Sequence, residues 1–438
     1  MTERQRHPGL RLWLDGRPLE GLGEWVLQLE VDERADEAST FRMTVDMSPI
    51  SGDRADGDWD VLEHGTFADE HRVPDFRLLR RVTVELGLAS ADPAEAEVSA
   101  TVFDGYVTGV EPVFGESRVP DSMLVLTGMD ASCLMHLETV TRTWDGMTDA
   151  AIAREIFEKY GFAARPGSGP DATVEDAGLD RVRDRASLVQ RGTDAEFLRL
   201  LARRNGFEVY VEPAGGPVHE GAHPATDVVG HFHPSRVDAE EQPAVNLFPR
   251  DAPSLIDFRA RYDGLQPTRI LGWHIDERSR KVQRVAVTDP GYGRMGTHGR
   301  GDVMRERLAA IQPVRRRSGS TSTPGAAGDA PFEPVDFQSA DVPHTDTELS
   351  SLARADYRLA DWFVVGTGTV QCERYPTIVR PRRPIRVLGT GHLLDGRWYV
   401  QGVRHRWGVD PDAPEEEQSV RRYEADVTLV RNALGGLG

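Results

Sequence analysis

Four histidines form the densest group of candidate metal ligands in the chain. His219 and His223 lie in a stretch rich in Pro and Gly, and His231 and His233 stand two residues apart a little further on. Imidazoles two apart on a strand project to the same face, so His231 and His233 are candidates to share a metal ion. No neighbouring carboxylate or cysteine completes a known ligand spacing, which favours a polar, partly exposed strand and loop. The sequence therefore predicts no resident metal and no cofactor.

Motifs for phosphate binding and nucleophilic catalysis are incomplete. Residues 291–296 follow a Gly-x-Gly-x-x-Gly pattern, but they lack the Lys-Ser/Thr pair of a phosphate loop and do not stand between a strand and a long helix. The hydrolase pattern Gly-x-Ser-x-Gly occurs nowhere, and Ser168 lies in a loop bounded by prolines. Spacing alone selects no catalytic pair among 71 acidic residues. We therefore predict that the chain is not an enzyme and has no catalytic residue.

Charge and hydropathy argue against two classes of partner. The chain has 438 residues, a formal net charge of -19 and a pI near 5.2, which disfavours nucleic acids and anionic membrane surfaces. The Arg-rich segments 315–317 and 380–384 are small against this background, and we interpret them as a solvated linker edge or a contact with an acidic partner. Mean hydropathy is -0.45, and no apolar run approaches the roughly 20 residues that a membrane helix needs. We expect no nucleic acid and no direct membrane insertion.

The N-terminus and the cysteines are typical of a protein that folds in the cytoplasm. The first residues are charged and lack the apolar segment of a secretory signal. Cys133 and Cys372 are the two cysteines, and they form neither a Cys-x-x-Cys motif nor a zinc spacing. We expect both thiols to be reduced.

The elements that would position any site begin with a β-rich region, residues 1–130. Apolar and polar residues alternate in short segments such as 25–31 and 41–45, and repeated short strands are typical of a barrel or sandwich. The Asp-Gly pair at 15–16 predicts a hairpin, because Gly adopts positive φ without steric cost. The polar stretch 48–73 is predicted to be an inserted loop, to which we assign no role.

The pattern changes to an α/β insert over residues 131–254. Thr148 is predicted to cap a first helix of this insert. Thr193 and Glu196 form a capping box before a second helix, and Gly206 ends it. A strand follows the second helix directly, so the insert is expected to mix helices and strands.

The third region begins with β-type segments at 255–312, predicted as the first part of a second barrel. Residues 313–362 predict a flexible linker followed by a helix. The linker itself, 315–331, is rich in Gly, Ser and Pro. Thr345 with Glu348 predicts a capping box at the start of this helix.

Residues 363–438 predict a closing meander of antiparallel strands. Asp395 and Gly396 predict a tight turn between two of these strands. In the last strand, alternate residues from Tyr423 to Leu429 share one apolar face. The order of the regions predicts a fold that is mainly β with an α+β insert, with two barrels linked by an α/β domain.

Four segments together resemble the phage late control D family, which includes tail-hub proteins of contractile phages and the hub region of VgrG spike proteins of type VI secretion. Residues 190–210 resemble the family's capped helix and following strand. The sequence Gly-Trp-His-Ile-Asp at 272–276 is similar to its Gly-Trp-Asp strand end, with two residues inserted. Residues 103–108 and 395–405 are similar to strands of its first barrel and of its closing segment. In this order the segments span nearly the whole chain.

The resemblance implies a structural baseplate hub of a contractile injection system or phage-like tail. Each chain would contain two tube-like barrels, with Trp273 and Trp398 as aromatic residues of the barrel walls. Three chains would form a homotrimeric, pseudo-sixfold ring that seats on a hexameric inner tube protein and matches a trimeric spike protein on the other side. Baseplate wedge components are further implied partners. The hub would assemble in the cytoplasm and then lie within the particle.

Two alternatives stay open from the sequence. A tail-tip hub of a non-contractile phage shares the implied fold, and a metal enzyme that uses His231 and His233 is a different class of protein. VgrG-type chains continue into a spike, whereas this sequence ends at Gly438, so we expect a separate spike polypeptide. Because no lysozyme-like segment is evident, we expect peptidoglycan cleavage to belong to another component.

Overall fold

In the computed structural model of the chain, the described residues are 6–19, 21–46, 76–90, 97–113, 123–168, 171–177, 188–214, 228–248, 253–275, 280–304, 346–409 and 420–435. Five of the predicted features lie outside these residues: His219, His223, Thr345, the loop 48–73 and the linker 315–331.

The described elements follow one another in three groups. The first contains β1 (Arg6–Leu14), β2 (Arg17–Pro18), β3 (Val26–Arg34), β4 (Thr40–Asp46), β5 (Arg81–Ser90), β6 (Val98–Val113) and β7 (Met123–Asp130). The second contains β8 (Thr139–Trp144), α1 (Asp149–Lys159), β9 (Pro166–Gly167), β10 (Val174–Glu175), β11 (Leu188–Thr193), α2 (Asp194–Asn205), β12 (Glu208–Pro213) and β13 (Val228–His233). The third contains β14 (Gln242–Asn246), β15 (Leu255–Tyr262), β16 (Ile270–Ile275), β17 (Val282–Val287), β18 (His298–Gly299), α3 (Asp346–Asp361), β19 (Val364–Gln371), β20 (Pro384–Leu388), β21 (Gly396–Val409), β22 (Arg421–Arg431) and β23 (Ala433–Leu434).

The first and third groups contribute strands to one sheet of thirteen strands, the main sheet. Neighbouring strands follow the order β15-β19-β22-β21-β3-β4-β7-β6-β5-β1-β2, and β20 pairs with both β21 and β14. The strands that are far apart in the chain meet where β3 pairs antiparallel with β21, from Arg34 opposite Gly402 to Gln28 opposite Gly408. We call this pairing the seam. It makes the two β regions one continuous sheet.

Alternation along the strands explains which face of the main sheet is buried. In β4, Phe41, Met43 and Val45 are buried, while the intervening residues face outward. In β22 the predicted apolar face from Tyr423 to Leu429 is confirmed, because its alternate residues are buried. Buried side chains from both β regions then form one hydrophobic core. The shared core, like the seam, therefore joins the two β regions into one unit.

The two predicted hairpin turns have different outcomes. The turn between β1 and β2 is confirmed, since Asp15 (φ 48°) and Gly16 (φ 76°) form a two-residue turn with Leu14 paired to Arg17.

The predicted tight turn at Asp395 and Gly396 is wrong in its position. Gly396 is already the first residue of β21, opposite Val387 in β20, so the connection is a longer loop. Asp395 closes this loop, because its Oδ1 accepts from the backbone N–H of Thr390 (2.6 Å) and from the Thr390 hydroxyl (2.8 Å). The reversal itself uses Gly389 (φ 89°) and Gly391 (φ 93°).

The α/β insert packs its two helices on a small sheet. This sheet has the order β12-β13-β10-β9, and β8 pairs with β11 beside it. Thr148 caps α1 by accepting from the N–H of Ala151 (3.2 Å). Apolar residues of both helices and of β12 and β13 form a second core that includes Ile156, Leu201 and Phe232. The insert therefore carries a core of its own.

A two-stranded ribbon, β16 and β17, stands apart from the main sheet. One face of this ribbon packs on α3: Ile270 and Val287 join Ala353 and Tyr357 in a small buried cluster. A Cβ at Gly272 would lie 2.8 Å from a methyl of Leu349, so this glycine allows the close approach of ribbon and helix. The helix α3 leads directly into β19, which fixes the ribbon near one end of the main sheet.

These elements confirm the predicted fold class, mainly β with an α+β insert. Within the described ranges, no pairing closes the main sheet into a barrel. The strands at the two ends of its order, β15 and β2, do not pair with each other in the described part of the chain. Separate tube domains therefore stay a prediction. None of the helices in the described part of the chain is long and apolar enough to cross a membrane.

Candidate functional site

The seam carries a buried polar network on the core side of the sheet. His405 in β21 is fully buried, and its Nε2 lies 3.0 Å from Oε2 of Glu33 in β3. The Tyr423 hydroxyl lies 2.7 Å from Nδ1 of the same imidazole. Arg380 donates to the other carboxylate oxygen of Glu33 at 2.8 Å. Strands from both β regions are thus joined by side chains as well as by the backbone ladder.

The charge at the seam is balanced by its neighbours. Burial opposes ionisation of Glu33, but the Arg380 guanidinium and the His405 hydrogen bond outweigh it and hold the pKa of Glu33 below its ordinary value. A buried carboxylate of this kind stays charged because its partners are in place. Removing one partner would leave an uncompensated charge in the core.

A second network joins the insert to the main sheet, and we call it the insert junction. The Glu208 carboxylate in β12 accepts from the Tyr399 hydroxyl in β21, at 2.9 and 2.8 Å, and from the Ser235 hydroxyl at 2.7 Å. Burial raises the pKa of Glu208 to about 7, although these hydrogen bonds and Arg382 act in the opposite direction. The carboxyl group at the contact of the insert with the main sheet therefore has a pKa well above its ordinary value.

Arg382 is the cation of the insert junction. Its guanidinium carbon lies 3.7 Å from the ring centroid of Tyr210, a cation–π contact, and it donates to the backbone carbonyls of Arg34 and Ala35. The residue has a φ of 65°, a conformation that costs free energy for a residue other than Gly. One side chain thus ties the insert to the end of β3, next to the seam.

His231 and His233 lie inside this junction and share one face of β13, as predicted. His231 stacks on Tyr210 (4.4 Å between centroids, 5° between planes), and its Nε2 lies 3.0 Å from Oε1 of Glu212. Nδ1 and Nε2 of His233 lie 2.8 Å from the Pro234 carbonyl and 3.2 Å from the Tyr210 hydroxyl. Nε2 of His231 and both ring nitrogens of His233 therefore lie close to protein groups.

The pKa values of the junction agree with neutral imidazole at position 233. Burial lowers the pKa of His233 to about 3. Burial also opposes ionisation of Glu212, but His231 and Arg382 outweigh it and lower the pKa of Glu212 to about 2. Among the described residues, no group of three or more His, Cys, Asp or Glu side chains could hold a metal ion. The two histidines pack the junction.

The remaining predicted structural residues lie at three separate places. Thr193 caps α2 by accepting from the N–H of Glu196 (3.2 Å), and the Glu196 carboxylate accepts from the N–H of Thr193 (2.9 Å), which completes the capping box. Gly206 follows α2 with φ 63°, and a Cβ there would lie 2.9 Å from the backbone of Ala355 in α3. Gly206 therefore serves both the helix end and the contact between α2 and α3.

The two predicted wall tryptophans differ completely in their surroundings. Trp398 in β21 is fully buried in the main core, donates from Nε1 to the Leu394 carbonyl (2.9 Å) and meets Phe258 edge to face. Trp273 lies on the ribbon, outside the main sheet, and is 55% exposed. The prediction for Trp273 is therefore corrected: its face of the ribbon points away from α3, which covers only the opposite face.

The outer face of the main sheet is concave across the seam. A cavity of about 590 Å³ lies over β15, β19, β22, β21 and β3. Its lining includes the charged residues Asp32, Arg34, Asp36, Glu37, Asp257, Arg259, Arg404 and Asp426. Arg404 pairs with Asp32 across the seam at 3.1 Å. The described lining residues are mostly charged or polar, so this surface suits contact by charge.

The sequence contained part of the information needed to predict the buried network at the seam. Glu33 continues the buried face of Leu29 and Val31, and His405 continues that of Val403 and Trp407. A charged or titratable residue on the apolar face of an alternating strand predicts a buried partner. The identity of that partner depends on which strands are neighbours, which the pattern does not determine.

Comparisons with known proteins address the fold. No protein-family model matches the chain, and no curated protein matches it. Among solved structures, the 43 kDa tail protein of prophage MuSo2 from Shewanella oneidensis is similar, with 12% identity, a TM-score of 0.51, and coverage of 98% of this chain and 99% of that one. The tail protein from Neisseria meningitidis MC58 matches with 11% identity and a TM-score of 0.52, over 98% of both chains.

The chain has the fold of phage tail proteins. A chain of the Francisella PdpA-VgrG complex is also similar, with 8% identity and a TM-score of 0.50. The match covers 99% of this chain and 53% of that one. The tail fold therefore extends over the main sheet, the insert and the ribbon together, since nearly every residue is included in the match.

Proposed function

We propose that the chain is a structural baseplate hub of a contractile injection system or phage-like tail. The observation that carries the proposal is the match in fold to two phage tail proteins over essentially the full length of both partners. A partial match within a larger VgrG-containing chain supports the same role. The proposal includes no catalytic step by this chain.

In the proposed assembly, three copies form a ring that connects a separate trimeric spike to a hexameric inner tube, with wedge components around it. The seam and the insert junction suit such a role physically. A connector that transmits force must hold its parts in one arrangement, and buried, fully paired charges favour a single arrangement because any shift leaves a charge unpaired. Glu33 is the charged carboxylate that would hold the two β regions together, and Glu208 would join the insert to the main sheet through its hydrogen bonds.

Imaging of the full chain co-expressed with its spike by negative-stain electron microscopy tests the proposal. We expect a threefold ring with six similar lobes around the spike. Particles without a threefold ring would contradict the hub role. A ring attached to a long, flexible, sheathless tail would favour the tail-tip hub of a non-contractile phage, which shares the fold.

A metal measurement tests the alternative function, a metal enzyme that uses His231 and His233. We expect purified protein to contain no stoichiometric zinc or iron by inductively coupled plasma mass spectrometry, because Nε2 of His231 lies against Glu212 and both ring nitrogens of His233 contact Tyr210 and Pro234. One equivalent of either metal, lost in a His231→Ala variant, would contradict this expectation.

A further inference from the structure

One face of β12 meets the main sheet through alternating residues. Glu208, Tyr210 and Glu212 are two residues apart on this strand and so share a face. Glu208 is 7% exposed and reaches the Tyr399 hydroxyl of β21, while the Tyr210 ring lies against the Arg382 guanidinium. The contact therefore places a buried carboxyl group between two parts of the fold that have separate cores.

The surroundings of Glu208 differ from those of the buried carboxylate at the seam. Glu33 forms an ion pair with Arg380 at 2.8 Å. The hydrogen-bond partners of Glu208 are instead two hydroxyl groups, those of Tyr399 and Ser235. A charged carboxylate that contacts only hydroxyl groups is costly in a buried place, because they replace only part of its hydration. The closed contact therefore favours the neutral form of Glu208.

The neutral form of Glu208 fits the same hydrogen bonds. A carboxylic acid both donates and accepts, and a hydroxyl group can do either. The Ser235 oxygen lies 2.7 Å from Oε1, so Oε1 can donate its proton to Ser235 while Oε2 accepts from Tyr399 at 2.8 Å. Protonation thus removes the charge and keeps a bond to each hydroxyl.

The Arg382 guanidinium is directed to other groups. It lies 3.7 Å from the ring centroid of Tyr210 and 4.0 Å from a carboxylate oxygen of Glu212, and it donates to two backbone carbonyls at the end of β3. Burial accordingly outweighs the opposing influence of Arg382 on the pKa of Glu208, which is raised to about 7.

Other titratable and charged groups face Glu208 from the elements around it. They are Tyr210 and Glu212 of β12, His231 and His233 of β13, Arg236 with its partner Glu175, Asp36 after β3, Tyr292, Arg382 and Tyr399. The negative charge of Asp36 adds to the cost of ionising Glu208. Burial raises the pKa of Tyr210 and lowers that of His233, so both stay neutral near pH 7.

We propose that the contact of β12 with the main sheet is a pH-sensitive switch. The contact is closed while the Glu208 carboxyl group is protonated, and it opens locally when the proton is lost to solvent. Opening lets water hydrate the carboxylate. The close approach of α2 to α3 at Gly206 is a separate contact, so the opening concerns β12 and the segment that carries Arg382 rather than the whole insert. Mildly acidic surroundings therefore hold the contact, and mildly alkaline ones loosen it.

Hydrogen–deuterium exchange of the full chain at pH 6 and pH 8, read by mass spectrometry and corrected for the intrinsic pH dependence of exchange, tests the switch. With a pKa for Glu208 of 4.5 in the open form and about 7 in the closed form, the opening constant should rise about tenfold between these pH values. We expect this rise in peptides that cover β12 and residues 380–383. These peptides should also exchange faster than those of β4 and β7, since local opening needs less free energy than global unfolding.

Matched variants identify the group responsible. Glu208→Gln keeps a neutral side chain that can bond to both hydroxyl groups, so its corrected exchange in β12 should be the same at pH 6 and pH 8. Glu373→Gln removes a carboxyl group beside Tyr423 whose pKa burial also raises, and it should retain the tenfold change. Imidazoles in general titrate near neutral pH, so His231, which stacks on Tyr210, needs a variant of its own. His231→Gln should also retain the change.

The outcomes separate the switch from other causes. A tenfold change that persists in Glu208→Gln would overturn it, and so would a change lost only in His231→Gln, which would assign the effect to the imidazole. Equal protection of β12 and β4 would show that opening is global, which also contradicts a local switch. The wild-type comparison stands without any variant, because unchanged exchange in β12 overturns the switch even where a variant fails to fold. The switch needs only this chain, so imaging with the spike tests the hub separately.

Discussion

The seam and the ribbon are both antiparallel pairings, but they distribute their side chains in opposite ways. At the seam, the titratable residues Glu33 and His405 are buried and every charge has a partner. On the ribbon, the apolar residues Trp273 and Ile275 are exposed and α3 covers only the other face. Polar groups inside and apolar groups outside are both costly in isolation. The seam meets this cost within the chain, whereas the ribbon keeps Trp273 and Ile275 in contact with solvent.

The two tryptophans provide the sharpest test of this contrast. Trp398→Ala removes a fully buried ring from the main core, so we expect a loss of about 3–5 kcal/mol in the free energy of unfolding. Trp273→Ala removes a half-exposed ring, and in dilute protein we expect a loss of no more than about 1 kcal/mol. Denaturant unfolding measures both. Equal losses would contradict the different burial of the two residues.

The buried charge at the seam gives the next largest effect. Glu33→Ala leaves Arg380 and His405 without their common partner, so we expect a loss of about 3–5 kcal/mol in the free energy of unfolding. Asp32→Ala is the matched control, since Asp32 is the neighbouring residue of β3 and pairs with Arg404 on the outer face. For that surface pair we expect about 1 kcal/mol or less. A control as damaging as Glu33→Ala would argue that β3 tolerates no change at all.

The insert junction is expected to make the free energy of unfolding of the wild type depend on pH. Two variants should change this dependence in opposite directions. The pKa of Glu208 is raised from its ordinary 4.5 to about 7, so its favourable contribution is present below pH 4.5 and is lost as the pH rises through 7. Glu208→Gln should therefore gain stability relative to the wild type between pH 5 and 8, on the order of 1–3 kcal/mol.

Glu212→Gln should behave in the opposite way. The pKa of Glu212 is lowered to about 2, so its contribution is present above pH 4.5 and is lost as the pH falls. The variant should then be less stable than the wild type at neutral pH and approach it in acid. Chemical unfolding at pH 3, pH 5 and pH 8 measures both differences, and a common sign for the two variants at pH 8 would contradict the assigned pKa shifts.

The helix cap of α2 gives the smallest expected effect, because it lies away from both networks. Thr193→Ala removes the side-chain acceptor of the Glu196 N–H, and we expect a loss of about 1 kcal/mol in the free energy of unfolding. Thr193→Ser keeps the hydroxyl and should stay close to the wild type. Thermal unfolding is sufficient here, and an unchanged midpoint for Thr193→Ala would show that the cap does not limit stability.

Local patterns predicted much of this fold because their causes are local. The capping box at Thr193, the turn at Asp15 and Gly16, and the apolar face of β22 depend on residues within a few positions of one another. The prediction of a tight turn at Asp395 was wrong because the position of that turn is not set locally. The dipeptide favours a tight turn, but Asp395 bonds to Thr390 and closes a longer loop, an outcome set by where β20 ends.

The candidate site was less predictable than the fold. The imidazoles of His231 and His233 do share a face of β13, as the two-residue spacing requires. Their partners Tyr210 and Glu212, however, come from β12, and Arg382 from the segment before β20 contacts that same pair, so the spacing carried no information about Tyr210 or Arg382. Glu208 gave no signal, since its neighbours Tyr399 and Ser235 are far away in the chain.

By itself the sequence determined the succession of β region, α/β insert and β region, the alternating faces and the helix caps, since the period of side chains along a strand or helix is a local property. Only the tertiary structure decided that β3 and β21 are neighbours, that Glu33 and Glu208 are buried, and that Trp398 is inside while Trp273 is outside. Strand order depends on contacts between residues hundreds of positions apart, such as Glu33 and His405. Such contacts form only when one core gathers both β regions, and that requirement belongs to the whole chain.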